Sequence, residues 1–370
     1  MKNKGFLRSV AFVLLLVIAL CGVMQCYGLP ASYDTKNLAT IDGLDKNMLD
    51  GIVIGTSVVG YSWNTPAVWW EYGMALGHAA TSIQAFGAIP GLIDFVRKTQ
   101  DIKYVVVDVH GLRKSTIMAS LEEVRFRSAY LNVPDLISQY KILDDLFDYA
   151  EEVYDFYGEP TKNRESYVDL SDKSYYLPII DFHSRWTEGL VMRDFVTVES
   201  NYLGALERAI GFQIKDCTKY LERWDFDTVI EPDDFQKKQL DKLFEYGKEN
   251  NIEFLFMSLP SFQSMEEQQE LAGLLEYCAA NGYNTLDFGT REMLTKVGIN
   301  LKTDFCNAGH LNSRGGIKTS KYVSKYLKDN GYYTPDHRGE EKYSEWDTIY
   351  KKYAKFYKKN WGIITTQPAA

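Results

Sequence analysis

Cysteine and histidine are both scarce in this 370-residue chain, at five residues each. Cys21 and Cys26 fall inside an apolar N-terminal run, which leaves Cys217, Cys278 and Cys306, an odd number at wide spacing. That pattern offers neither a disulfide framework nor a structural zinc site. No group of His, Cys and Asp has metal-ligand spacing, and no Gly-rich phosphate-cradling loop is present. The sequence therefore calls for no metal and no cofactor. A basic excess is missing too, since 41 Lys and Arg against 50 Asp and Glu leave a net charge of −9. Nucleic-acid binding needs a basic surface to displace counterions and is not expected. There is no internal repeat and no low-complexity tract.

The remaining composition is that of an ordinary globular chain, 45% hydrophobic and 25% charged, with 26 Tyr. The length suits one large α/β domain with insertions, or two smaller domains. Aromatic richness fits carbohydrate contact and plain core packing equally well. The N-terminus is more telling. Lys2, Lys4 and Arg8 precede an apolar run from Val10 to Met24, with the positive charges on the side that stays cytoplasmic. Extended by Tyr27, Gly28 and Leu29, the run could cross a bilayer. No small-x-small cleavage site follows, and bulky Leu20 and Gln25 precede the two cysteines. Residues 1–29 thus read as an uncleaved signal-anchor, which places the body on the extracytoplasmic face of the cell membrane. A cleaved signal peptide would instead make it a secreted protein.

Residues 29–48 read as a polar lead-in. Leu49 to Thr56 is a β-branched, apolar strand that stops at Gly55-Thr56-Ser57, as a parallel strand does when it delivers a serine to the carboxyl edge of a sheet. Glu71 to Ala80 reads as helical, and Pro90 opens a helix whose apolar face includes Leu92, Ile93, Phe95 and Val96. Lys103 to Val109 is a second buried strand, so this region begins a doubly wound sheet. Helices are expected over Ser120–Tyr130, with a capping box from Ser120 to Glu123, and over Val133–Tyr157. A polar loop covers Gly158–Lys173, and Leu190–Phe195 returns to regular structure. The rhythm resumes with a helix at Phe235–Asn250, whose Gln239, Lys242 and Lys248 face solvent, and a strand at Ile252–Leu259. A helix at Met265–Asn281 and a short strand at Tyr283–Phe288 follow, then helices at Gly315–Asp329 and Tyr343–Lys359. The expected organisation is residues 30–113 and 231–335 as two parts of one α/β domain, 114–230 as a helical insertion or cap, and 336–370 as a helical tail.

A serine hydroxyl is a weak nucleophile until a base takes its proton, and a histidine steered by a third group is the usual base. Ser57 and His310, near the two ends of the α/β region, are the candidate pair. The alternative for Thr56-Ser57 is simply a cap on the next helix. Asn307 stands three residues before His310, where an acid would be expected. Its side-chain oxygen can fix the imidazole tautomer without supplying a negative charge. Asp304 is a candidate substitute acid and Asp287 another. Asp108 and His110, at a strand end, are candidates for substrate contact or for supporting hydrogen bonds. His183, flanked by Asp181 and Arg185, offers a base and an anion-binding guanidinium, or else a structural cluster with Trp186. Trp63, Trp69 and Trp70 fit either a sugar-stacking wall or the core. His78 and His337 read as surface or packing residues, and a Cys306–His310 couple is a weak alternative.

In these features the chain resembles the SGNH (GDSL-type) hydrolases, specifically an exported group from Gram-positive gut bacteria distantly similar to the D-alanyl transfer protein of teichoic-acid modification. The resemblance spans most of residues 45–360. Its marks are Ile54-Gly55-Thr56-Ser57 and the stretch from Thr303 to Asn312, with further subfamily marks at Phe182-His183-Ser184-Arg185-Trp186 and from Asp336-His337-Arg338 to Trp346. It implies a three-layer α/β/α sandwich with a flavodoxin-like parallel sheet and a helical insertion. It also implies Ser57 as nucleophile and His310 as base. The oxyanion would be held by the Ser57 N–H, a second-block glycine, for which Gly73 is the candidate, and a side-chain amide, for which Gln84 is the candidate. The family's third-block Asn is replaced by Val107-Asp108-Val109-His110-Gly111. The expected activity is esterase or O-acyltransferase chemistry on a cell-surface glycan or acylated, teichoic-acid-like polymer. The alternative is a weakly active or inactive accessory to a membrane-bound O-acyltransferase.

Overall fold

Runs that are apolar at every position cannot leave one face to water, and in this chain they become strands covered on both sides. The structure, a computed structural model, describes residues 2–27, 33–177, 200–205, 207, 209–224 and 226–364. Strands β1 (Gly51–Gly55), β2 (Leu76–Ala80), β3 (Tyr104–Asp108), β4 (Glu253–Ser258) and β5 (Asn284–Asp287) pair in parallel in the order β2-β1-β3-β4-β5. A separate hairpin joins β6 (Phe305–Asn307) to β7 (His310–Leu311). In doubly wound sheets of this order, ligands bind beyond the carboxyl ends, where β1 and β3 lead off to opposite sides.

Thirteen helices are numbered here among the described residues. The first four are α1 (Lys2–Tyr27), α2 (Tyr33–Gly43), α3 (Ser57–Ser62) and α4 (Thr65–Tyr72). Next come α5 (Ile89–Arg97), α6 (Lys114–Ser120), α7 (Glu123–Leu131) and α8 (Leu136–Tyr157). The last five are α9 (Asp234–Asn250), α10 (Met265–Ala280), α11 (Arg291–Val297), α12 (Ser313–Asp329) and α13 (Ser344–Ile364). Alternate strand residues Ile52, Ile54, Val105, Val107, Phe254 and Phe256 pack under apolar faces of α5, α8, α9 and α10. Val53, Val106, Leu255, Met257 and Leu286 pack under α3, α4 and α12. The protein is thus a mixed α/β chain with a five-stranded parallel sheet between two helical layers. Among the described residues, α1 carries a stretch, Lys4–Val23, long and apolar enough to cross a membrane.

Several expectations need correction. Residues 76–80 form β2, not the end of a helix. Met, Ala and Leu favour helix locally, but full-length pairing with β1 outweighs a few tenths of a kcal/mol per residue. The helix there is α4, which Gly73 stops with a left-handed φ of 66°. The lead-in is α2, which buries Leu38, Ala39 and Ile41 along edge strand β2. No capping box joins Ser120 to Glu123, because Ser120 ends α6 and its hydroxyl donates back to the Ile117 carbonyl. Gln239 is buried, donating to Glu152. Within the stretch expected to be a helical insertion or cap, α8 packs in the helical layer beside α5. Residues 190–195 lie outside the described residues.

The end of β1 has no room for a side chain. A Cβ on Gly55 would lie 2.8 Å from both the Asp108 Cβ and a Val59 methyl, and its φ of 154° is one that L side chains rarely adopt. Gly55→Ala is expected to lower stability by about 1–3 kcal/mol in urea unfolding, with a parallel loss of Ser57 reactivity because Ser57 is only two residues downstream.

Candidate active site

β1 ends at Gly55 and the chain turns at once into α3. Thr56 takes the N-cap position, its hydroxyl accepting from the Val58 N–H at 3.4 Å, and Ser57 is the first helical residue. Capping and delivery of the serine are therefore one arrangement. Ser57 Oγ lies 2.9 Å from His310 Nε2 across 253 residues of sequence.

His310 opens β7. The two-residue turn Ala308-Gly309 sets Asn307 opposite His310, so the spacing of three is the register of a tight hairpin. Asn307 Oδ1 accepts from the Gly309 N–H at 2.9 Å and faces His310 Nδ1 at 3.0 Å. The Gly309 donor identifies that Asn307 atom as oxygen, and an oxygen requires Nδ1 to carry the proton. Nε2 is then an acceptor, and the Ser57 hydroxyl donates to it. Tyr61 packs on the imidazole with ring centroids 4.3 Å apart. Ser261 Oγ donates to the Gly309 carbonyl and the Phe262 N–H to the Ala308 carbonyl, which ties the hairpin to the loop after β4.

Burial, and secondarily the nearby His110, push His310 down to about 4 from its ordinary 6.5. Asp304 does not orient the ring. Its fully buried carboxylate accepts from the Asn300 N–H at 2.7 Å, Lys318 Nζ at 2.6 Å and Thr303 Oγ1 at 3.0 Å, with Arg314 at 3.4 Å. Asp304 anchors the base of the hairpin instead. Asp287 is occupied by Ser258 Oγ and the Gly289 N–H. Cys306 directs its thiol at the carbonyls of His310 and Leu311, and burial pushes it up to about 12, so it is no partner for the imidazole.

Asp108 and His110 lie together at the end of β3, both fully buried, with Asp108 Oδ1 accepting from His110 Nδ1 at 2.9 Å and from the Leu259 N–H at 3.1 Å. His110 is close enough for its charge to act on His310. Gln84 follows β2 on the same edge. Its carbonyl oxygen is 3.2 Å from where a Cβ on Gly111 would lie, and its buried Nε2 has no hydrogen-bond partner among the described residues. Gly73 is not brought to the site. It caps α4 before β2 begins, at the opposite end of the sheet, where a Cβ would collide with Asp336. His183 and Arg185 lie outside the described residues. Trp63 and Trp69 are core residues, and exposed Trp70 stacks on Tyr350. His78 is buried in β2 with Nε2 at the Gly204 carbonyl, and buried His337 bridges Asp50 and Glu340.

A cleft of about 290 Å³ opens at Ser57 and His310, with Ile83, Arg113, Ser115, Gln263 and Glu267 in its wall. Arg113 pairs with Glu267 at 3.0 Å, and Ser115 donates to the same carboxylate oxygen at 2.6 Å. Burial opposes the Glu267 charge, but hydrogen bonds from Ser115 and Ser264 and the Arg113 charge hold it below the usual carboxylate range. Ile83 has a φ of 51°, an outlier for a β-branched residue, and such strain clusters at functional sites. None of these wall residues carries a sequence signal that separates it from ordinary surface positions.

The arrangement can activate Ser57 as a nucleophile. Because the base keeps its lone pair down to about pH 4, labelling of Ser57 by a fluorophosphonate probe is expected to stay level from neutral pH to about 5 and to fall near 4. The unfolded chain takes up that proton nearer 6.5, so His310 makes stability fall as pH drops between those values. Asp304→Ala is expected to cost roughly 3 kcal/mol in urea unfolding, since it strips an acceptor from a backbone N–H and two cations. Asn307→Ala is expected to cost only about 1 kcal/mol. Compared with known proteins, the chain matches no family model and no curated protein.

Proposed function

We propose that this protein is an extracytoplasmic serine esterase or O-acyltransferase of the SGNH type, held at the membrane by α1. Its substrates would be acyl esters of a cell-surface glycan or teichoic-acid-like polymer. The observation that carries the reading is the continuous relay from Ser57 Oγ through His310 to Asn307 at the carboxyl edge of a parallel sheet. Ser57 Oγ attacks the ester carbonyl carbon while its proton passes to His310 Nε2. The bond to the leaving alkoxide breaks as His310 returns the proton, leaving an acyl-serine. Water then makes the protein an esterase, and a sugar hydroxyl makes it a transferase. The Ser57 N–H, at the first turn of α3, is a donor that the helix itself cannot satisfy and would serve the developing oxyanion. A cleft walled by Arg113, Ser115 and Glu267 suits a polar acyl carrier better than a lipid chain.

Asn307 favours a second reading, a slow or inactive accessory to a membrane acyltransferase. It holds the tautomer but adds no negative charge, and the Asp-to-Asn change in a serine protease triad lowers turnover about 10⁴-fold. Acetyl-ester hydrolysis by the full chain in detergent separates the two. Ser57→Ala is expected to lower the rate by at least about 10³-fold, and Asn307→Asp to raise it. If wild type and both variants are equally silent, including toward a fluorophosphonate, the accessory reading replaces the enzymatic one.

A further inference from the structure

Two fully buried side chains at the end of β3, Asp108 and His110, take no part in the relay from Ser57 to Asn307, yet their hydrogen bonds lead to it. Asp108 Oδ1 accepts from the Leu259 N–H at 3.1 Å and from His110 Nδ1 at 2.9 Å, while Oδ2 has no partner among the described residues. The His110 ring makes no other hydrogen bond among those residues, since its Nε2 is also unpartnered. Its one bond fixes the Asp108 carboxyl group, and with it the oxygen that receives Leu259.

Leu259 follows the last residue of β4, and the loop it opens holds the histidine hairpin. Ser261 Oγ donates to the Gly309 carbonyl at 3.0 Å, and the Phe262 N–H donates to the Ala308 carbonyl at 2.7 Å. Ala308 and Gly309 are the turn between Asn307 and His310. In the other direction, Asp108 abuts the strand that delivers the serine. β1 pairs with β3 as far as Ile54 opposite Val107, and a Cβ on the next residue, Gly55, would lie 2.8 Å from the Asp108 Cβ. Asp108 thus packs on the end of β1 with its Cβ and holds the loop after β4 with its Oδ1.

We propose that Asp108 is a positioning residue for the Ser57–His310 pair, fixing through Leu259 where the base stands relative to the nucleophile. The proposal rests on the reading of Ser57 and His310 given above and extends it, since Asp108 touches neither substrate nor reacting atoms. A misplacement of about 1 Å between reacting groups can cost about 100-fold in rate. Because only Oδ1 is engaged, an amide at this position keeps both bonds, and a methyl group keeps neither.

The test uses the full chain in detergent, with the histidine ring nitrogens isotopically labelled for NMR. Fluorophosphonate labelling of Ser57 gives a saturating rate and a half-saturating probe concentration. The His310 Nε2 resonance reports its hydrogen bond, and Ser57→Ala marks its position when the hydroxyl is gone. Asp108→Ala is expected to lower the saturating rate at least about tenfold, with half-saturation within about twofold of wild type. It is also expected to move the His310 resonance toward the Ser57→Ala position. Asp108→Asn is expected to keep the rate within about threefold of wild type and the resonance in place. An Ala variant that loses only stability, with rate and resonance unchanged, overturns the proposal. So does an Asn variant as impaired as the Ala one, because the bonds it keeps are then not what matters. If Asp108→Ala does not fold, His110→Phe and Ser261→Ala carry the test. Each breaks one bond of the path, and wild-type rate and resonance in both overturn the proposal. A wild type silent toward the probe overturns the serine-hydrolase reading instead, and the His310 resonance alone then decides on Asp108.

Discussion

Pairing on both edges is the constraint that fixes β1, and the candidate site follows from it. Gly51 to Gly55 bond to β2 on one side, and Gly51 to Ile54 bond to β3 on the other, with every residue of the strand buried. A strand held this way cannot slip by a residue without reversing both of its packed faces. Ser57 therefore emerges at one place above the sheet. The partner histidine reaches that place on a two-residue hairpin, braced by Asp304 below and by Ser261 and Phe262 from the loop after β4. Two anchored elements, rather than one flexible loop, hold the 2.9 Å contact.

Electrostatically, the site keeps its base neutral. His310 is surrounded by protein, and the side chain on its Nδ1 is an amide. A carboxylate there would raise the basicity of the ring and would itself need solvation in a buried position. The nearby carboxyl group is instead that of Asp108, bonded to His110 and to the Leu259 N–H. The cleft wall separates charge in a similar way, with Arg113 and Glu267 neutralising each other at its rim. Anything bound there would thus meet a serine with an oriented but weakly assisted base, inside a polar and nearly charge-balanced cleft.

Much of this could be read from the chain. The run Ile52-Val53-Ile54 ending at Gly55-Thr56-Ser57 marked both a buried strand and the serine, because a parallel strand needs apolar residues on two faces and its carboxyl end is where ligands collect. Asn307 and His310 were legible as a pair because a spacing of three keeps both on one short turn. β2 was not legible. Its Leu, Gly, His and Ala residues carry no strand preference, and its pairing with β1 is a non-local fact. Nor was α2, whose apolar residues are few and are buried only because an edge strand needs cover. Gly73 shows the same limit, since a glycine at a helix end and a glycine beside a serine look alike until the strand between them is placed.

By itself, then, the sequence determined the local matters: where apolar runs make strands, which serine follows the first, which histidine is preceded by an amide, and that an apolar, positively flanked helix comes first. These depend on residue type and short spacing. Only tertiary structure decided that Asp304 bonds to Asn300 and Lys318 rather than to His310, that Asp108 and His110 lie buried near His310, and that Arg113 and Glu267 wall the cleft. Those assignments turn on which way a polar side chain points once buried. That direction is set by the nearest unsatisfied donor or charge, which the fold brings from elsewhere in the chain.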